Sequence, residues 1–221
     1  MSIELNNINP IFNKIPVIYI NLDIRPDRNE HVKRELTKIG INDPQRFSAI
    51  KLENGALGCS MSHLKCVELA KKNNYDQVFI CEDDIEFLNP NLFLTQLSKF
   101  FTSNILWDVI IVSGNNMLPY TSINDDCIKV YNCQTTTGYI VKKEYYDVLI
   151  NNYREGIKNL LNEPSNNSYK IDKHWFKLQR NDNWYLIIPL SVVQKEDYSD
   201  IEKRVTNFKK YMLDYNKAYK K

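Results

Sequence analysis

The chain alternates between short, dense apolar runs and longer stretches in which apolar residues return every three or four positions. Ile15–Ile20, Gln77–Cys81 and Trp107–Val112 are rich in β-branched and aromatic residues and read as buried strands. Between them, three sets of apolar residues each fall on one face of a helical repeat: Val32, Leu36 and Ile39, then Leu64, Val67 and Ala70, then Phe93, Leu97 and Phe100. Pro26 suits the first turn of the first helix and Gly40 its stop; Ser60 is placed to cap the second, which fades at Asn73-Asn74. Phe47–Leu57 reads as a connection with a short strand. Cys127–Cys133 and Thr137–Val141 read as two strands around a tight connection, Lys142–Asn152 as a helix and Glu163–Lys170 as a loop. Trp184–Val193 reads as a strand that Pro189 bends or confines to an edge. In the tail, Ile201, Val205, Phe208, Met212 and Tyr215 recur at helical spacing and predict an amphipathic helix over 200–221.

Strands alternating with helices over the first half imply an α/β fold with a mostly parallel, doubly wound sheet, and the shorter strands of the second half a smaller mixed portion. At 221 residues this is a single domain with three parts, 14–115, 116–199 and 200–221. A net charge of +2 supplies no field for nucleic acid or membrane. Gly is scarce, at 6, and neither a P-loop nor a GxGxxG motif is present. The five cysteines, Cys59, Cys66, Cys81, Cys127 and Cys133, include no CxxC pair and read as reduced structural thiols. Met1–Asn13 has no basic cap followed by an apolar stretch, and no apolar run approaches the ~20 residues that span a bilayer. A cytoplasmic location is expected, and the Asn166-Asn167-Ser168 sequon reads as chance.

Candidate chemistry begins at Glu82-Asp83-Asp84, where the strand Gln77–Cys81 leaves the sheet. Carboxylates there stand at the crevice where α/β proteins bind ligands. Three in a row repel unless a cation sits among them, and Mg²⁺ or Mn²⁺ held so can bind a diphosphate; the plain alternative is a solvated turn. The first strand ends in Asn21-Leu22-Asp23-Ile24-Arg25-Pro26-Asp27-Arg28. A helix N-terminus with Arg25 and Arg28 suits phosphate, and Asn21 suits a base or ribose edge; the alternative is surface pairing of the arginines with Asp23 and Asp27. In Gly55–Lys65 two glycines allow close backbone approach to a ligand, with Ser60, Ser62 and His63 near the helix start. His63 has no partner at zinc-ligand spacing, and a lone His here is more often a satisfied structural side chain than a catalyst.

Together these segments resemble glycosyltransferase family 25, which groups bacterial lipooligosaccharide galactosyltransferases with collagen galactosyltransferases. The resemblance rests on Ile18–Asp23 with Arg25–Arg28, on Gly58-Cys59 to Ser62-His63-Leu64, and on Glu82-Asp83-Asp84. Thr137–Ile140, Pro189–Gln194 and Ser199-Asp200-Ile201 follow in order. It implies a GT-A-like fold, a UDP-hexose donor, a divalent metal (Mn²⁺ or Mg²⁺) and inversion at the anomeric carbon. Residues 14–115 then form the nucleotide-sugar and metal half and 116–199 the acceptor side. Glu82 and Asp84 match the metal motif, with Asp83 beside them at the donor. Asn21, Leu22, Asp23, Arg25 and Arg28 match the nucleotide loop, and Ser62 and His63 a pair at donor phosphate or sugar.

An inverting displacement needs a base opposite the leaving group. Asp172 is the first candidate, with Asp125 and Asp126 behind it, and a helix cap is the plain reading of Asp172. His174 is placed to close the metal shell, Gln194 to line the site, and Trp175 and Trp184 as stacking faces or core. The acceptor is expected to be a glycan, lipid-linked or collagen-like hydroxyl, with no nucleic-acid partner. The tail reads as packed on the sheet, with peripheral membrane contact as the alternative. A metal-dependent nucleotide-sugar hydrolase and a degenerate binding module are the competing readings.

Overall fold

A computed structural model of the protein describes residues 12, 14–199 and 201–219. Most of the segment searched for a targeting signal, and Asp200 of the last motif, lie outside the described residues. The strands are β1 (Val17–Asn21), β2 (Gln45–Ser48), β3 (Gln77–Glu82), β4 (Ile85–Phe87), β5 (Val109–Asn116), β6 (Tyr120–Ser122), β7 (Cys127–Val130), β8 (Cys133–Lys142), β9 (Trp184–Ile187), β10 (Val192–Gln194), β11 (Asp197–Ser199) and β12 (Arg204–Thr206). The helices are α1 (Pro26–Thr37), α2 (Gly55–Lys72), α3 (Pro90–Thr102), α4 (Tyr146–Asn162), α5 (Ile171–His174), α6 (Phe176–Asn181) and α7 (Lys209–Leu213).

An eight-stranded sheet runs in the order β2-β1-β3-β8-β5-β9-β7-β6. β1 pairs parallel with β2 and β3, and β5 with β9. β8 lies between β3 and β5, antiparallel to both, and β7 is antiparallel to β9 and β6. All strands but β8 and β7 therefore point the same way, as the strand–helix alternation predicted.

Alternation along each strand divides the core into two layers. Ile18, Ile20, Val78, Ile80, Val109 and Ile111 face the layer that holds α2 and α4. Val17, Tyr19, Phe79, Cys81, Ile110 and Val112 face the layer that holds Val32 and Leu36 of α1 and Phe93 and Leu97 of α3. Helices on both faces make the fold doubly wound. Trp175 and Trp184 are fully buried with ring centroids 5.2 Å apart, so both belong to the core and neither offers a sugar-stacking face.

Several boundaries differ from the pattern reading. Helix α2 starts at Gly55, not Ser60, because the Asn54 side chain accepts from the Leu57 N–H at 3.1 Å and caps it there. Gly58 lies inside this helix where a Cβ would collide with the backbone oxygen of Ile50. Ala is the better helix former by about 1 kcal/mol, but overpacking against fixed backbone costs about 1–3 kcal/mol. Gly58→Ala is therefore expected to lower the melting temperature rather than raise it, and a thermal melt checks the sign. The predicted Lys142–Asn152 helix runs instead over Tyr146–Asn162; Gly156 interrupts the apolar signal because the His174 ring packs on it.

The predicted strand Trp184–Val193 divides at Pro189 into β9 in the main sheet and β10, which pairs with β4. The predicted C-terminal helix does not form as such. Arg204–Thr206 pairs with Asp197–Ser199 as a hairpin, and only Lys209–Leu213 is helical. Met212 is buried, whereas Ile201 and Val205 are exposed. Among the described residues no helix is long and apolar enough to cross one.

Candidate active site

Two hollows of about 370 and 350 Å³ meet beside the exit of β3. Both are lined by Cys59, Glu82, Gln194, Ser199 and Ile201, so they form one cleft with a shared waist. One hollow sets apolar Ile20, Leu22, Ala49 and Ile50, a wall that suits a flat base, against three basic residues, Arg28, Lys51 and Lys203, and four acids, Glu53, Glu82, Asp83 and Asp84. The other is walled by Asn115, Gln134, Thr135, Thr136, Thr137 and Asp172, a lining that suits a polyhydroxylated ligand.

Glu82 sits at the waist for a reason visible in the strand. Val78 and Ile80 point to the α2 layer, and two residues on Glu82 points the same way. There His63 Nε2 lies 3.1 Å from Glu82 Oε1, Thr136 Oγ1 donates to the same oxygen at 2.5 Å, and Cys59 Sγ donates at 3.7 Å. Burial would push this carboxyl up, but the His63 contact, the Thr136 hydroxyl and Arg28 outweigh it and hold Glu82 below the usual range. Behind it, His63 Nδ1 is 3.1 Å from the Tyr139 hydroxyl, which accepts from Tyr153 at 3.2 Å.

Cys59, His63 and Glu82 are the one group of three metal-ligand atoms within 4.8 Å of one another among the described residues. It does not suit Mn²⁺ or Mg²⁺: burial holds the Cys59 thiol well above its usual range, and a hard ion prefers oxygen. Glu82 is thus held on the α2 side of the cleft and not against Asp84.

Asp83 and Asp84 meet Arg28 instead, whose guanidinium lies 2.9 Å from Asp83 and 3.4 Å from Asp84. Gln194 Nε2 donates to Asp84 Oδ2 at 2.8 Å, in keeping with the role expected of Gln194. Asp84 Oδ1 is buried with no hydrogen-bond partner among the described residues. Burial, reinforced by Glu82 and Asp83 against Arg28, pushes this carboxyl up to about 7. An acid so placed, with an unpartnered oxygen and a second carboxylate alongside, has the donor chemistry a hard divalent cation prefers.

Asn21 is 1% exposed and its amide is fully engaged: it donates to Asp83 Oδ2 at 2.7 Å and to Arg25 O at 3.0 Å, and accepts from Arg46 at 3.0 Å. It orients Asp83 rather than reaching a base edge. Leu22 lines the cleft, as expected. Asp23 is bound by Arg46 and Ser48 outside it, which lowers its pKa. Arg25 contacts Asp27, Asp197 and the Tyr198 carbonyl. The Ser62 hydroxyl donates to Gly58 O and accepts from the Ile50 N–H, so it pins the loop after β2 to α2, and Ser62 lines the base-side hollow with His63.

Asp172 lines the hydroxyl-rich hollow. Ser113 pairs with Gly138 and Asn115 with Gln134, so Thr135–Thr137 bulge out of β8 opposite Gly114. Thr135 adopts φ 73°, strained for a β-branched residue, and its N–H points to Asp172 Oδ2 at 3.4 Å. Burial raises the Asp172 pKa, partly opposed by that contact and by Lys173 and Lys170. Asn115 Oδ1 and Thr137 Oγ1, in the same hollow, are buried with no hydrogen-bond partner among the described residues.

His174 does not join the metal-candidate acids. Residues two apart on a helix do not share a face, and while Asp172 lines the cleft, His174 lines a separate crevice with Gly156 and Tyr169. The weaker base candidates are also excluded: Asp125 is exposed, Asp126 pairs with Lys99 at 3.1 Å, and neither lines the cleft. The sequence reading missed Thr136, Cys59, Lys51 and Lys203. The threonine run Thr135–Thr137 was the available signal for the first of these.

The profile described as glycosyltransferase family 25 (LPS biosynthesis protein) matches residues 45–173, more than half of the chain. No curated protein matches it in sequence. Among solved structures, a glycosyltransferase involved in glycosylation of the major capsid of PBCV-1 is similar at 11% identity and a TM-score of 0.49, over 90% of this chain and 89% of that one. A mannose-1-phosphate geranyltransferase from Thermus thermophilus is similar at 7% identity and 0.46, over 82% and 74%. A nucleoside-diphosphate-sugar pyrophosphorylase from Vibrio cholerae is similar at 17% identity and 0.41, over 86% and 80%. Similarity this distant assigns no activity.

Proposed function

Because the chain belongs to glycosyltransferase family 25, we propose that its cleft moves a hexose, galactose or glucose, from a UDP-sugar to a hydroxyl of a glycan, lipid-linked or collagen-like acceptor. In this reading the transfer inverts the anomeric carbon and uses Mn²⁺ or Mg²⁺. The observation that carries it is the placement of Asp84, with its unpartnered oxygen, and Asp172 in the two joined hollows of one cleft.

Ile20, Leu22, Ala49 and Ile50 would enclose the base, and Arg28, Lys51 and Lys203 would draw in the diphosphate. Asp84, with Asp83 beside it, would hold the ion, which when bound would offset the charge developing on the diphosphate leaving group. From the other hollow, Asp172 would take the proton of the acceptor hydroxyl as it attacks. Its raised pKa suits that task better than an ordinary surface carboxylate would.

Calorimetric titration with UDP-galactose and UDP-glucose, in Mn²⁺ and again in EDTA, tests the reading. Metal-dependent binding of one of them is expected. Asp84→Asn should weaken that binding by roughly 100-fold, the scale of losing a charged ligand contact. No binding by the parent protein in either condition would overturn the donor assignment. Unchanged binding by a folded Asp84→Asn protein would overturn the metal assignment alone.

A further inference from the structure

Glu82 presents an unusual division of labour between its two oxygens. Oε1 is approached by three donors from two elements: His63 Nε2 and Cys59 Sγ from α2, and Thr136 Oγ1 from the β8 bulge. Oε2 has no hydrogen-bond partner among the described residues, while the side chain keeps 22% of its surface open at the waist of the cleft. An ionised carboxylate accepts only, so His63 must donate from Nε2. In the neutral ring Nδ1 then accepts from the Tyr139 hydroxyl, whose oxygen accepts from Tyr153. This buried chain fixes the ring, and the ring fixes the carboxylate at the waist of the cleft.

The waist is where the two hollows meet, and in the proposed reaction that is where the transferred hexose must sit, between diphosphate and acceptor. We propose that Glu82 is the anchor of the transferred sugar: Oε2 accepts a hydrogen bond from a ring hydroxyl of the donor hexose, and His63, Thr136, Tyr139 and Tyr153 are positioning residues that hold it for that contact. The inference rests on the donor reading above and departs from a metal role for Glu82. A fixed acceptor at one ring position is also what discrimination between hexoses that differ at one hydroxyl requires, since a site built to bond a hydroxyl rejects a sugar that lacks or misplaces it.

Dissociation constants of UDP, UDP-galactose and UDP-glucose, measured in Mn²⁺ for the parent and for Glu82→Gln, separate the roles. The amide oxygen can take over Oε1, which leaves an NH₂ donor where Oε2 was. UDP is expected to bind both proteins equally, whereas the preferred UDP-hexose should bind the variant about 10- to 100-fold more weakly, the range for a hydrogen bond to a charged group. Thr136→Val, which removes one donor and no charge, should show a smaller loss of the same kind, with UDP again unaffected. Equal loss of UDP and UDP-hexose in Glu82→Gln would return Glu82 to the metal or diphosphate and overturn the inference. Unchanged UDP-hexose binding in a folded Glu82→Gln would also overturn it. Should Glu82→Gln fail to fold, Thr136→Val decides alone: an unchanged UDP-hexose constant overturns the anchor. Failure of UDP itself to bind the parent would instead remove the donor reading on which the anchor depends.

Discussion

Asp172→Asn is expected to bind donor as tightly as the parent and to transfer sugar roughly 100- to 10,000-fold more slowly, the contribution of a positioned general base. Asp172 lines only the hydroxyl-rich hollow, away from Arg28, Asp83 and Asp84, so the donor site should not register its loss. The amide preserves shape and can still accept from Thr135 N–H through its oxygen. What it loses is the capacity to take a proton. Turnover measured beside donor affinity makes the test specific: a fall in both would mean a distorted cleft, and intact turnover would remove Asp172 from the chemistry. The strained φ of Thr135 indicates that the bulge is held in place by its surroundings rather than by its own preference.

The metal-free protein is expected to lose stability as pH rises, through Asp84. Its folded pKa of about 7 lies above the ordinary 3.8 of an aspartate. Between the two the folded state holds a proton that the unfolded state has released, so stability falls with pH across that window and levels off above it. From about pH 5 to about pH 8 the change amounts to about 2–3 kcal/mol by linkage. His31 and His174, both with lowered pKa, act in the opposite sense on the acid side. Comparison with Asp84→Asn cancels their contribution. Urea unfolding in EDTA should show the variant more stable than the parent at the higher pH, with the gap closing as pH falls. Mn²⁺ should restore the parent at the higher pH and leave the variant unmoved. Parallel pH profiles for the two proteins would show that Asp84 ionises normally.

Much of this architecture is local and was legible. Ile15–Ile20, Gln77–Cys81 and Trp107–Val112 form central strands because β-branched runs bounded by polar residues have few other stable fates. Asp84, Arg28, Gln194 and Asp172, which the structure brings to the cleft, could be singled out because each lies near an element's end beside a recognisable motif. What stayed hidden depended on partners distant in sequence. Glu82 was read by its acidic neighbours alone; that its strand parity, together with a start of α2 at Gly55, brings it to Cys59 and His63 was not read. His174 was placed with the metal-candidate acids on the chemistry of its imidazole, although the short helix that carries it sets it in a separate crevice. The tail satisfies a helical period, yet Lys203 takes φ 53° and the chain turns into a hairpin, a choice made by pairing rather than by periodicity.

The place of β8 in the sheet bears on how such a protein could diversify. A strand that lies between residues 133 and 142 in sequence fills the slot between β3 and β5, joining the early strands to the late ones. Without it the β3 and β5 edges would stand open, each a template for association with another chain. The same strand carries the Thr136 that grips Glu82 and the Thr135 that meets Asp172. The two hollows are consequently not interchangeable cassettes. A recombination event that imported a new acceptor side with its own β8 would also replace the closing strand of the sheet and one grip on the residue at the waist. New acceptor preferences are more accessible through point changes along the bulge, where side chains can vary while the ladder on either side is kept.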